Sequence, residues 1–258
     1  MVEVNKVLQQ VVQIQERGGF SDQYMADKLG CSRPLYQRTR TGKIPVGGRF
    51  LKGALRLLEA EYPKGRAATV KRNTQETSVE LHLDVDGSGT WDVETGIFIL
   101  DHLLSQFAKH GVMNLTVKAS GDDTHHIVED VAICLGKAFA DAMAERRGIP
   151  RMASMTVPMD EALVTVAVDV AGRGYPVVDL ALTSQDISGM AGDLVRHFLE
   201  SFAIEARIAL HVITLRGQND HHKAEAAFKA LGRVIDIATR IDDRISSEVS
   251  STKGIPEK

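Results

Sequence analysis

Through residue 60 the apolar positions recur at helical spacing. Beyond residue 67 they fall in short alternating runs separated by helical stretches. Val4, Val7, Leu8, Val11, Val12 and Ile14 lie mostly on one face of a predicted helix over 4–16. A short helix follows from Phe20-Ser21 through Tyr24, Met25 and Leu29, ended by Gly30. Ser32 caps a third helix holding Leu35, Tyr36 and Thr39 and stopped by Gly42, and a fourth spans 48–60. Ser78 to Val85 alternates strictly, which predicts a half-buried strand ending at Asp86-Gly87. A helix over 98–109, a strand over 115–119 and a long helix from His125 to Arg146 come next. The order then returns: strands over 154–157, 163–170 and 177–182, a helix from about Met190 to Ile208, a strand over 210–215 and a helix from His221 to about Thr239. The predicted fold class is α/β (α+β), with duplicated β-β-α-β-α half-domains preceded by a small all-α domain.

The first three helices have the rhythm of a helix-turn-helix. Ser21 to Ser32 looks like the Cro/repressor type, with small Ala26 in the first helix and Gly30 in the turn. That resemblance would set Arg33, Gln37, Arg38 and Arg40 toward phosphates and base edges, with Pro34 tolerated in the first turn. It makes DNA a candidate partner for residues 1–64; the other reading is a helical bundle used for assembly.

Charge supports a division of the chain. Residues 1–66 carry 12 Lys+Arg and 6 Asp+Glu, a net of +6, and the remainder carries 19 and 28, a net of −9. The change falls near Tyr62 to Ala68, a segment with Pro63 and Gly65. The expected domains are therefore 1–64 and 67–258, the second built of repeats over about 67–158 and 159–258. Cys31 and Cys134 lie far apart, which argues for a reducing cytoplasm and no disulfide framework. No apolar run reaches the roughly 20 residues that span a bilayer, and the charged start lacks a signal-peptide core.

Six of the nine histidines form a duplicated pattern. His125-His126-x-x-Glu129 and His221-His222-x-x-Glu225 are near copies, with His102 23 residues before the first and His197 24 before the second. On a helix, His125 with Glu129 and His221 with Glu225 share a face at i and i+4. His126 and His222 point about 100° away, toward a different ion. Thr124 and Asn219-Asp220 are placed to cap these helices. Ligand spacing of this kind, repeated, points to a two-metal site rather than to scattered surface histidines. Imidazole and carboxylate donors without thiolate suit Mn, Fe, Co or Zn.

Several further motifs run in order with these clusters. They are Arg72-x-Thr74-x-Glu76-Thr77, Thr95-Gly96 with Asp101-His102, His110-Gly111, Pro158-Met-Asp160-Glu161-Ala162 and Gly172-Arg173. Arg196-His197-Phe198, Gly217-x-Asn219, Phe228-Lys229 and Ser251-Thr252-Lys253-Gly254 complete the set. From about residue 70 to the C-terminus the chain resembles imidazoleglycerol-phosphate dehydratase. Two departures are a shortened stretch before His125 and Phe98 where the family often has Gly.

The resemblance implies dehydration of D-erythro-imidazole-glycerol phosphate to imidazole-acetol phosphate, a step of histidine biosynthesis. It implies two Mn2+ per active site, one held by His102, His126, His221 and Glu225 and the other by His125, Glu129, His197 and His222. Glu76 becomes the candidate acid/base. His110, Arg151, Arg173, Lys229, Ser251, Thr252 and Lys253 become substrate contacts, with Arg forks and small hydroxyls suited to phosphate. Sites between subunits, trimers and a twenty-four-subunit homo-oligomer are also implied. The competing class is a metal- or substrate-responsive DNA-binding regulator on the dehydratase fold.

Overall fold

The structure is a computed structural model, and it describes residues 2–61, 65–144, 146–245 and 250. The chain divides into two compact units, Met1–Lys64 and Gly65–Lys258.

The first unit is four helices: α1 (Val2–Gly18), α2 (Asp22–Lys28), α3 (Arg33–Arg40) and α4 (Gly48–Glu61). Their apolar faces meet in a small core of Val11, Ile14, Met25, Ala26, Leu29, Tyr36, Phe50 and Ala54. The Ser21 hydroxyl accepts from the Tyr24 N–H and starts α2. Ser32 holds the equivalent place before α3 but makes no side-chain cap, and Pro34 removes one of the N–H groups a cap would serve. Gly30 takes a left-handed φ of +64° in the turn. Gly53 of α4 lies so close to that turn that an added Cβ would sit 2.0 Å from the Leu29 carbonyl oxygen.

Arg40, though exposed, is engaged within the unit: its guanidinium donates to Gln15 Oε1 at 3.2 Å and lies 3.7 Å from Asp22. Gln15 also accepts from the buried Tyr36 hydroxyl at 2.6 Å, and Asp22 accepts from Gln15 and Gln37. A core this small gains rigidity from a satisfied polar network.

The second unit consists of two matching halves. The first contains β1 (Ala67–Asn73), β2 (Thr77–Asp84), β3 (Trp91–Glu94), α5 (Phe98–His110), β4 (Asn114–Gly121) and α6 (Thr124–Met143). The second contains β5 (Met152–Met159), β6 (Ala162–Asp169), β7 (Tyr175–Asp179), a small hairpin of β8 (Asp186–Ile187) and β9 (Met190–Ala191), α7 (Asp193–Glu205), β10 (Ala209–Arg216) and α8 (Asp220–Thr239). The two four-stranded mixed sheets have equivalent orders, β1-β2-β4-β3 and β5-β6-β10-β7. Their pairs are antiparallel except the edge pairs β3–β4 and β7–β10, which are parallel.

Each half is thus β-β-β-α-β-α in its main elements: the three strands expected in the second half are all present, whereas the first half holds Trp91–Glu94 beyond the predicted β-β-α-β-α. Trp91–Glu94 is a four-residue edge strand with no buried position, so it shows no alternation to read. The helix expected from Met190 starts at Asp193, because Met190–Ala191 pairs with Asp186–Ile187. The helix expected to reach Arg146 ends at Met143, followed by Ala144 at φ +39°.

Strict alternation in β2 and β6 buries Val79, Leu81 and Leu83 in one half and Val164, Val166 and Val168 in the other. The helices cover these faces, and each long helix also packs on the short helix of the opposite half, α6 on α7 and α8 on α5. Both crossings run main chain against main chain. A Cβ on Gly136 would lie 2.8 Å from the Phe202 carbonyl oxygen, and one on Gly232 would lie 2.4 Å from that of Phe107.

Candidate active site

The two long helices begin with their histidine pairs. Asp123, not Thr124, caps α6: its carboxylate accepts from the His125 N–H at 2.7 Å, and Thr124 is already helical. Asn219 caps α8, accepting from His221 N–H at 2.9 Å and His222 N–H at 3.4 Å. These caps bind the backbone that carries the histidines, so the first turn of each helix is held at the site.

Two triads result, each drawn from both halves. His102 and His221 present Nε2 to Glu225 Oε2 at 3.1 and 3.3 Å. His197 Nε2 lies 3.5 Å from Glu129 Oε1, and His125 Nε2 lies 4.0 Å from Glu129 Oε2. In each triad the ligand atoms all fall within 4.8 Å of one another. The facing imidazoles stack, His102 on His221 at 5.6 Å and His125 on His197 at 5.0 Å. His197 Nε2 is buried without a hydrogen-bond partner among the described residues. That is a donor set short of a partner, and a cation would supply one.

His126 and His222 join neither triad. Their rings stand at 84° and 80° to those of His125 and His221. His126 Nδ1 meets Asp122 at 2.9 Å, with Glu76 at 3.9 Å. His222 Nδ1 meets Glu161 at 2.7 Å, and its Nε2 lies 3.7 Å from Asp160. These carboxylates raise both imidazole pKa values, Asp122 for His126 and Glu161 for His222. In return the His222 hydrogen bond holds Glu161 at about 2, helped by the Asn219 N–H.

A further set of bonds fixes the loops around the triads. Asp101 accepts from the Thr95 N–H and hydroxyl at 2.9 and 2.6 Å, ahead of His102. Buried Asp130, directly after Glu129, accepts from Arg72 at 2.6 Å and from the Thr77 hydroxyl. Thr74 Oγ1 accepts from the Glu76 and Thr77 N–H groups, shaping the turn that carries Glu76. Buried Asp220 accepts from Thr183 and Ser184 N–H groups and from Lys223. Burial would raise the Asp220 pKa, but those donors outweigh it and hold the carboxyl ionised.

The imidazoleglycerol-phosphate dehydratase family profile matches residues 95–235. The imidazoleglycerol-phosphate dehydratase of Dehalococcoides mccartyi is 57% identical over 192 residues, which span 74% of this chain and 98% of its own. That of Roseiflexus sp. is 54% identical over 193 residues, 74% of this chain and 97% of its own. The crystal structure of the Staphylococcus aureus imidazoleglycerol-phosphate dehydratase superimposes with a TM-score of 0.63 at 31% identity, covering 68% of this chain and 99% of that one.

The chain belongs to the imidazoleglycerol-phosphate dehydratase family. Its reaction is the dehydration of imidazoleglycerol phosphate in histidine biosynthesis. The helical N-terminal unit lies outside the profile match, and no helix among the described residues is long and apolar enough to cross a membrane.

The residues expected to hold this dehydratase's substrate are less gathered than its triads. Lys229 Nζ lies 2.7 Å from Glu225 Oε1 and 3.4 Å from the Met159 sulfur. Burial would raise the Glu225 pKa, but Lys229 and His102 hold it at about 2. Arg151 makes a two-pronged pair with Asp169 at 2.6 and 2.8 Å and donates to the Ser250 carbonyl at 2.8 Å. Arg173 is exposed after Gly172, whose φ is +88°. His110 ends α5, where burial and then the Lys229 and Arg233 cations push its pKa down and keep the ring neutral. Ser251, Thr252 and Lys253 lie outside the described residues.

Sequence reasoning gave no role to Asp122, Asp130 or Asp101. Asp122 stands four residues before His126, an i, i+4 spacing that was legible in principle. The reach of Asp130 to β1 and β2 needed the fold.

Proposed function

We propose that this dehydratase works with two divalent cations, Mn2+ by its resemblance to the family, one at each His-His-Glu triad. The observation that carries the reading is the pair of triads, with His197 Nε2 buried and without a hydrogen-bond partner among the described residues in one of them. Fe, Co and Zn have the same donor preference and compete for the sites. His126 and His222, with Nδ1 taken by carboxylates, keep Nε2 as the ligand atom. Both stand outside the triads of their own chain and would complete those of neighbouring copies. Metal would then also drive trimers and the larger shell.

Bound there, the cations supply Lewis acidity at the imidazole ring of the substrate. The remaining roles belong to side chains. Hydroxide leaves the carbon next to the ring with its electron pair, a proton leaves the neighbouring carbon, and the resulting enol becomes the ketone. Glu76, on its Thr74-shaped turn beside His126, takes that proton. His110 lines the site as a neutral imidazole. Arg151, Arg173, Lys229 and the 251–253 segment hold the phosphate through forks, an ammonium and hydroxyls.

Exhaustive chelation should abolish turnover of D-erythro-imidazole-glycerol phosphate, and Mn2+ should restore it at a stoichiometry of two ions per chain. Full turnover by metal-free protein would overturn the proposal.

A further inference from the structure

The dehydratase reaction leaves the first unit unexplained. Its charge is strongly uneven along the chain: residues 28–56 hold eight Lys and Arg and no Asp or Glu. This segment takes in α3, which the turn Leu29–Ser32 joins to the short helix α2. Ala26, Leu29 and Tyr36 are buried at the junction, and α4 braces the turn by laying Gly53 on the Leu29 carbonyl.

The faces of α3 divide cleanly. Tyr36 and Thr39 point into the core. Arg33, Pro34, Gln37, Arg38 and Thr41 form an outward stripe at i, i+4 spacing, exposed except for half-buried Gln37. Arg33, Arg38 and exposed Lys43 make no ion pair within 4 Å among the described residues, so their charge is open to a partner. Arg40 is not open, being bound to Gln15 and Asp22. Gln37 donates one amide N–H to Asp22, which leaves its other N–H and its amide oxygen for recognition. The stripe holds no aromatic ring, so it offers no stacking platform for single-stranded bases. It also holds no large apolar anchor of the kind that dominates protein interfaces.

We propose that the N-terminal unit binds duplex DNA, with the Arg33–Arg38 face of α3 in the major groove and Lys43 and Arg49 on the flanking phosphates. A braced second helix presenting unpaired arginines suits that groove in width and charge. This function stands apart from the dehydratase chemistry and does not depend on the metal assignment.

The test uses the full chain and a fluorescently labelled duplex of mixed sequence, read by anisotropy. Neutralising three or more phosphates predicts an affinity that falls about 40-fold or more between 50 and 200 mM NaCl. The combined variant Arg33→Ala, Arg38→Ala, Lys43→Ala should weaken binding at least about tenfold while dehydratase activity and helical content stay at the parent level. Arg40→Ala, which loosens the interior, should lower the melting temperature of the unit. Absent or salt-insensitive binding would overturn the proposal. So would a triple variant that binds like the parent, a preference for single-stranded RNA, or a signal arising only from self-association of the chain.

Discussion

The two halves of the catalytic unit share sheet order, helix order and ligand spacing, yet they are wired differently around the second histidine of each pair. In the second half the His222 ring is held by Glu161, which comes from the β5–β6 hairpin and also accepts from the Gln218 and Asn219 N–H groups. In the first half the corresponding hairpin carries Glu76, but His126 is held instead by Asp122, from the loop just before α6. Glu76 stays 3.9 Å away and 58% exposed. The two hairpins carry equivalent carboxylates; one braces its histidine, and the other stands free of such a bond, which suits it to the proton transfer proposed for Glu76. The triads differ in the same spirit. Glu225 is buried and paired with Lys229, whereas Glu129 is 40% exposed and pairs with no lysine among the described residues.

The largest expected contrast is between Glu76→Gln and Glu161→Gln. Glu76→Gln should keep both metals and lower kcat by about 10²–10⁴. Glu161→Gln should act first on metal affinity, by about 10–100-fold, as loss of a histidine's carboxylate partner does. Steady-state kinetics beside metal titration separates the two, and equal effects on kcat and affinity in both variants would erase the distinction.

Next comes Glu225→Gln against Glu129→Gln, measured by denaturation of the metal-free protein. Removing Glu225 leaves the Lys229 ammonium, 17% exposed, without its partner, and should cost about 3 kcal/mol. The exposed Glu129 should cost less than about 1 kcal/mol. Because the folded-state pKa of Glu225 is depressed, its stabilisation is fully present above pH 4.5, its ordinary value, and is lost as pH falls toward about 2. The gap between parent and Glu225→Gln should close over that range. A gap that persists to its acid end would show that the carboxylate's charge is not the cause.

Smallest and most even should be Gly136→Ala and Gly232→Ala, each costing about 1–3 kcal/mol from crowding at a helix crossing. Each should also weaken metal binding with every ligand intact. Melting curves and metal titration check this, and unchanged metal affinity in both would detach the crossings from the site.

How far the sequence disclosed this molecule depended on whether the signal was local. The His/Glu clusters were legible because His125 with Glu129 and His221 with Glu225 sit one turn apart, and a helix turns that spacing directly into a shared face. Strands β2 and β6 were legible because one face is buried and the other is not. The Trp91–Glu94 strand was hidden because an exposed edge imposes no pattern. The contacts of Arg40 were hidden because Gln15 and Asp22 lie outside α3, and nothing in the α3 sequence tells an arginine tied to its own unit from a free one. Lys229 was read as a phosphate contact, and its bond to Glu225, also one turn away, was overlooked in favour of the motif.

The glycine crossings carry a consequence for how such a site endures change. Gly136 lies seven residues beyond Glu129, and the Phe202 it touches lies five beyond His197. Gly232 and Phe107 stand in the same relation to Glu225 and His102. The distance across each triad is therefore gauged by two backbones pressed together, not by any side chain that could be exchanged. Core residues on either side can drift over generations of descendants, and the opening between the imidazoles keeps its width.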